Sequence, residues 1–186
     1  SSDLCHVLNN AIMDALKPFT APLKELREVS SFVRHSKRAW ELFRAIQKDA
    51  LRANGVADVS NEVDSSDVES EDDVGQADES ELTRPTRVLR LCGWCPTRWN
   101  STYFLMKRAH VLRNAIEQLL QTPEGRHLYV ERATWFFVED LLPVLEAIKQ
   151  VSELLEGDSY ITISDVLSVV LKLMYSKLRD MVTEED

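Results

Sequence analysis

Arg98 and Trp99 stand side by side in the run Cys95-Pro96-Thr97-Arg98-Trp99-Asn100-Ser101-Thr102-Tyr103. A tryptophan offers a wide π-face to an unpaired nucleobase, and an arginine beside it can hold the adjoining phosphate. Lys107, Arg108 and Arg113 follow in the same helical pattern and extend the pair into a basic track for a nucleic-acid backbone. The same residues also read as a tryptophan packed over a helix start with a solvated arginine. Composition by itself favours that plainer reading.

Cys92-Gly93-Trp94-Cys95 is a single CxxC pair. It supplies two of the four ligands that a structural zinc requires. Cys5 and His6 are the remaining candidates, but adjacent residues rarely both reach one tetrahedral ion, and there is no second CxxC and no HxxxH. A redox role needs a βαβ setting, which is missing. Ordinary thiols are the expectation, with no metal site in this chain. His6, His35, His110 and His127 are scattered, and none of the five glycines belongs to a phosphate-binding loop. Carboxylate pairs such as Glu139-Asp140 have ordinary helix-surface spacing, so no residue is expected to be catalytic.

The elements that must position these residues read as helices. Leu4, Val7, Leu8, Ala11, Ile12 and Ala15 recur at helical spacing until Pro18 stops them. Pro22 can open the next helix. Its apolar series runs from Leu23 through Leu26, Val29, Val33, Trp40, Phe43 and Ile46, with a break expected near Val29-Ser30-Ser31 and an end at Asn54-Gly55. Arg84 to Leu91 resumes order without enough alternation for a strand. Thr97, Asn100 and Ser101 can each cap the next helix. Leu105, Ala109, Leu112, Ile116 and Leu119 form one stripe along it. Trp99, Tyr103, Met106, His110 and Arg113 form a second, about a quarter turn away on a helix of ~3.6 residues per turn. Trp99 is therefore expected off the centre of the packed face, at an exposed helix entrance. Thr122-Pro123-Glu124-Gly125 is a turn. Trp135, Val138, Leu142, Leu145, Ile148 and Ser152 continue helically, with Pro143 expected to kink or divide them. Thr162 caps a last predicted helix. The fold class is all-α, a bundle of about five to seven helices.

The formal charge of −9 is unevenly spread. Between positions 58 and 81 lie eleven acidic residues and no Lys or Arg; the remainder holds 22 basic and 20 acidic residues, so binding to nucleic acid is not excluded. The tract cannot bury enough apolar surface to offset its ordering entropy and is expected to be a disordered loop. It is either a solvated insertion or a nucleic-acid mimic that competes for basic surface. The domain reading is N-terminal helices over 1–56, the acidic loop over 57–84, and a helical domain over 85–186. No apolar run is long enough to cross a membrane. Three cysteines with no secretory signal point to reduced thiols in the cytosol or nucleus. The abrupt start at Ser1 suggests a fragment of a longer protein.

The run Thr97 to Tyr103 resembles the Thr-Arg-Trp-Asn-Ser-Thr-Tyr signature of hAT-superfamily transposases and of the domesticated BED zinc-finger proteins derived from them. Cys5-His6-Val7-Leu8-Asn9-Asn10-Ala11 resembles that family's Cys-x-x-His-x-Leu-Asn-Leu element, with the cysteine displaced: aligning His6 puts Asp3 where the family has cysteine. Residues 151–167 resemble the stretch leading to the family's Pro-Thr-Ile-Ser helix, and Phe32-Val33-Arg34-His35-Ser36 also fits. The resemblance implies the helical insertion domain of an RNase H-like transposase, in the nucleus. Arg98 and Trp99 would handle DNA at the transposon end, with Lys107, Arg108 and Arg113 beside them. Cys5, His6 and Asn9 would form a motif of unassigned role. The catalytic acids, the divalent metal (Mg or Mn) they bind, the BED finger and the dimerisation segment would lie outside this chain, in a homo-oligomeric parent. The alternative is a domesticated nuclear DNA-binding or protein-interaction factor without transposition activity.

Overall fold

The computed structural model describes residues 2–55 and 87–156, and within them the side chains of 6–55, 87–150, 152 and 153. The acidic tract and the helix expected after Thr162 lie outside the described residues, as does most of the 151–167 stretch. Among the described residues the chain is all-helical. Its elements are α1 (Ser2–Leu16), a 3-10 turn (Lys17–Phe19), α2 (Thr20–His35), α3 (Lys37–Ala53), α4 (Trp99–Val111), α5 (Arg113–Leu120) and α6 (Arg132–Glu156).

Pro18 sits inside the 3-10 turn, where its missing N–H ends α1, and Pro22 falls in the first turn of α2, where no intrahelical donor is lost. The break expected near Ser30 falls instead at Ser36, whose extended backbone separates α2 from α3 and whose hydroxyl accepts from the Ala39 N–H at 3.2 Å. Ser30 is buried and serves another purpose, described below. Gly55 closes α3 at φ +79°, in the left-handed region that glycine enters at no steric cost. The long helical pattern after Thr97 splits at Leu112 into α4 and α5. Pro143 does not divide α6, which runs on to Glu156.

Helix α4 lies at the centre, in contact with α1, α2, α5 and α6, while α3 packs on α2 and α5. That arrangement buries both stripes of α4 together. Leu105 and Ala109 from one stripe, and Trp99, Tyr103 and Met106 from the other, join Leu26, Val33, Phe43, Trp135 and Leu145 in one core cluster. Removing a fully buried aromatic such as Phe43 is expected to cost about 3–5 kcal/mol.

Residues 87–98 carry Leu89 and Leu91 into this core without forming a strand. A buried backbone must still satisfy its polar groups. Helix side chains do so here in place of a sheet neighbour. Gln47 donates to the Leu89 carbonyl at 3.0 Å and accepts from the Leu89 N–H at 2.9 Å. The Ser30 hydroxyl donates to the Cys92 carbonyl, Arg34 to that of Leu91, and Arg108 to that of Arg90. The Arg27 guanidinium lies 3.5 Å from the centre of the Trp94 ring, and that of Arg90 lies 4.5 Å from the centre of Trp40. Burial lowers the pKa of Arg27, and burial together with the charge of Arg34 lowers that of Arg90. These residues form a strap that α2, α3 and α4 hold down, and the strap delivers the chain to the start of α4.

Candidate nucleic-acid interface

The strap ends at Pro96-Thr97, and α4 begins at Trp99 with Arg98 in the N-cap position and no side-chain cap from Arg98 itself. The first turn of any helix leaves N–H groups without intrahelical partners. Here the cap comes from another helix. Asn9, on α1, accepts from the Trp99 N–H at 3.2 Å and donates to the Thr97 carbonyl at 3.0 Å. Two stretches 90 residues apart in sequence, the Cys5-to-Ala11 run and the Thr97-to-Tyr103 run, thus meet at one helix start. Nothing in the local sequence signals that pairing; only the shared resemblance linked the two. His6 is exposed, with its ring beside the Asn10 amide, and the Cys5 side chain lies outside the described residues.

The caps expected from the motif itself are redirected. Ser101 accepts from the Cys95 N–H at 3.0 Å, tying the helix back to the strap, and Thr102 accepts from the Trp94 indole N–H at 3.2 Å. Thr97 lies beside the Cys95 thiol at 3.2 Å. Its side chain and backbone, with the charge of Arg98, outweigh burial and pull the Cys95 pKa below its ordinary value. Cys92 and Cys95 are not joined in a disulfide, and among the described residues no group of three or more His, Cys, Asp or Glu is placed to hold a metal ion.

The expected basic track divides into separate fates. Arg98 is exposed. Trp99 is only 4 % exposed and packs near Tyr103, with ring centres 6.5 Å apart. This corrects the expectation of an exposed tryptophan: a residue a quarter turn off one stripe still faces protein when neighbours surround the helix. Lys107 lies 2.9 Å from the Glu146 carboxylate and donates to the Tyr103 hydroxyl at 2.6 Å, and that hydroxyl itself bonds Glu146. Burial opposes ionisation of Glu146, but hydrogen bonds from Tyr103 and Lys107 and the charges of Lys107 and Lys149 prevail and hold its pKa below the ordinary value. Arg108 is buried and bonded to the strap. Arg113 begins α5, pairs with Glu117 at 2.9 Å and Glu139 at 2.7 Å, and lies over the Trp135 ring at 5.1 Å. Of the five residues, the structure leaves Arg98 in water and gives the other four packing or ion-pairing partners.

Residues 3–142, most of the chain and both motif runs, match the family model for the ZBED1 RNase-like helical domain. The chain belongs to that family. It is a hAT-related helical domain, of the kind found in proteins that also carry BED zinc fingers. Comparison with curated proteins and with solved structures finds no match. Within the ZBED1-type helical domain, Phe32-Val33-Arg34-His35-Ser36 now has a structural reading: Val33 enters the core, Arg34 bonds the strap and Ser36 caps α3. Among the described residues no helix is long and apolar enough to cross a membrane.

A second neighbourhood was not visible as a site in the sequence. Residues 121–131 connect α5 to α6 and, with both helices, enclose an open groove of about 590 Å³. Gly125 makes the turn possible, because a Cβ there would stand 2.2 Å from the Leu119 carbonyl oxygen. On the far side, Glu25 of α2 accepts from the Glu131 N–H at 2.9 Å and the Thr134 hydroxyl at 2.6 Å, fixing the start of α6. Arg113, Arg126 and Arg132 line the groove, with Tyr129, Trp135 and Glu117.

Proposed function

We propose that this chain is the helical insertion domain of a hAT-type DNA transposase, and that it contacts transposon-end or flanking DNA in the nucleus without being catalytic by itself. The family match across both motif runs carries this reading. At the start of α4, the exposed Arg98 is the residue suited to a backbone phosphate. Trp99 contributes by packing: it seats that helix start in the core and so fixes where Arg98 stands. Lys107, Arg108 and Arg113 support the arrangement through Glu146, the strap and α6.

The divalent ions of strand transfer do not fit the described residues, which offer no suitable cluster of ligands. The metal-binding acids, and the segment that joins parent subunits into a homo-oligomer, belong to the rest of the parent protein. A domesticated descendant, acting as a nuclear DNA-binding or protein-interaction factor without transposition, is the other reading that the family match admits.

The test is binding of the chain to a transposon-end hairpin and to a flap DNA across a salt series. Arg98→Gln is expected to weaken binding and lower the salt slope by about 0.9 on duplex DNA, with melting unchanged. An unchanged slope removes Arg98 from the interface, and absence of binding even at low salt rejects DNA contact by this domain. Cleavage or strand transfer by the chain alone with Mg²⁺ or Mn²⁺, lost when one of its own acids is replaced, would overturn the assignment of catalysis to the rest of the parent.

A further inference from the structure

The groove between α5 and α6 combines three features that the start of α4 does not. The first is an aromatic ring in solvent: Tyr129 is 66 % exposed, in a stretch of 128–131 that is not helical. The second is positive charge without an internal partner. Arg126 and Arg132 are exposed, and among the described residues neither is paired with a carboxylate. Arg132 leans on the ring of the exposed Phe136 at 5.4 Å. Of the acids in and around the groove, Glu117 and Glu139 are held by Arg113 and Glu124 by Arg38, while Glu131 stands exposed next to Arg132; three arginines line the groove against one acid, Glu117. The third is size. A concavity of about 590 Å³ suits one nucleotide unit rather than a duplex.

We propose that this groove takes an unpaired nucleobase of a single nucleic-acid strand, stacked on Tyr129, with the flanking phosphates on Arg126 and Arg132. Arg126, Tyr129 and Arg132 all line the groove, so it offers two cations and a ring to a strand that presents phosphate, base and phosphate in turn. A bare anion has no use for the ring, and an acidic peptide offers no flat face to it. The apolar side chains of Leu120, Leu128 and Val130 complete a wall against which a base edge can lose water. The ligand class rests on the DNA-contact reading above; the site does not, since it contains neither Arg98 nor Trp99.

The experiment measures anisotropy of a labelled twelve-nucleotide single strand with the 186-residue chain. The same strand as a duplex, a free mononucleotide and poly-glutamate serve as competitors. Tyr129→Ala is expected to weaken single-strand binding by about 5- to 100-fold, the size of one lost stacking contact. Tyr129→Phe should bind as the parent does, because the ring remains. Arg126→Gln and Arg132→Gln should each flatten the dependence of log K on log salt by about 0.7. Melting should be unchanged in all four variants, since these side chains are exposed. Binding that is insensitive to Tyr129→Ala, or poly-glutamate that displaces the strand regardless of residue 129, overturns the proposal. So does a mononucleotide that binds as tightly as the strand. If duplex or hairpin binding still depends on Arg98 in those cases, the DNA-contact reading survives alone. If the chain binds no nucleic acid at low salt, both fall.

Discussion

At the start of α4, Trp99 lies beneath the surface and most of the polar groups around it bond to one another. At the groove beside α6, Tyr129 stands in solvent between two arginines that have no carboxylate partner among the described residues. Both neighbourhoods bring arginine and an aromatic ring together, but stacking on a base needs the ring to be open to solvent. The difference lies in how many elements surround each. Helix α4 has α1, α2, α5 and α6 against it, so nearly every direction from its axis meets protein. Residues 126–131 belong to the connection between α5 and α6, Arg132 opens α6, and one side of this stretch is left to water. The motif that carries the family resemblance thus serves first as architecture, and the open aromatic surface sits in a segment with no motif.

The largest effect that can break this contrast is on Trp99. Trp99→Ala should destabilise the chain by about 3–5 kcal/mol, as for a large aromatic lost from a packed interior. A loss below ~0.5 kcal/mol, the range of surface substitutions, would mean that Trp99 is exposed in solution. The cap is next. Asn9→Ala should cost about 0.5–2 kcal/mol, as removal of an N-cap does, although Asn9 sits 90 residues from the helix it caps. Asn9→Asp, which keeps the acceptor for the Trp99 N–H and loses the donor to Thr97, should recover part of that loss.

Smaller again is the pH response of the Tyr103–Lys107–Glu146 group. The folded carboxyl has a pKa below its ordinary value, so it adds stability above the unfolded value of about 4.3. That contribution is lost as pH falls through the unfolded value towards the folded one. The melting-temperature gap between the parent and Glu146→Gln should therefore narrow on acidification from neutral pH to pH 3. A gap that widens would refute the ion pair. The smallest expected change sharpens the other side of the contrast: Tyr129→Ala should leave stability within about 0.5 kcal/mol of the parent.

Much of the helical layout was legible in the sequence. The apolar spacing of α1, α2 and α3, the stop at Pro18, the close at Asn54-Gly55 and the turn at Thr122 to Gly125 are local matters of side-chain period and backbone freedom. The break expected near Val29-Ser30-Ser31 falls at Ser36; Ser30 stays inside α2, buried, with its hydroxyl donating to the Cys92 carbonyl. The strap itself gave no signal beyond Val88, Leu89 and Leu91, since its hydrogen bonds come from helix side chains dozens of residues away.

The sequence by itself determined the helical class, because hydrophobic periodicity is a property of neighbouring residues. It also determined the membership in a hAT-related helical-domain family, because that rests on residue identities at fixed spacing. Whether Trp99 meets water, what caps α4, which arginines keep a solvated charge and where a groove opens were decided only by the tertiary structure. Each of these depends on which surfaces come together from distant parts of the chain, and a quarter turn on a helix has no inside or outside until its neighbours are in place.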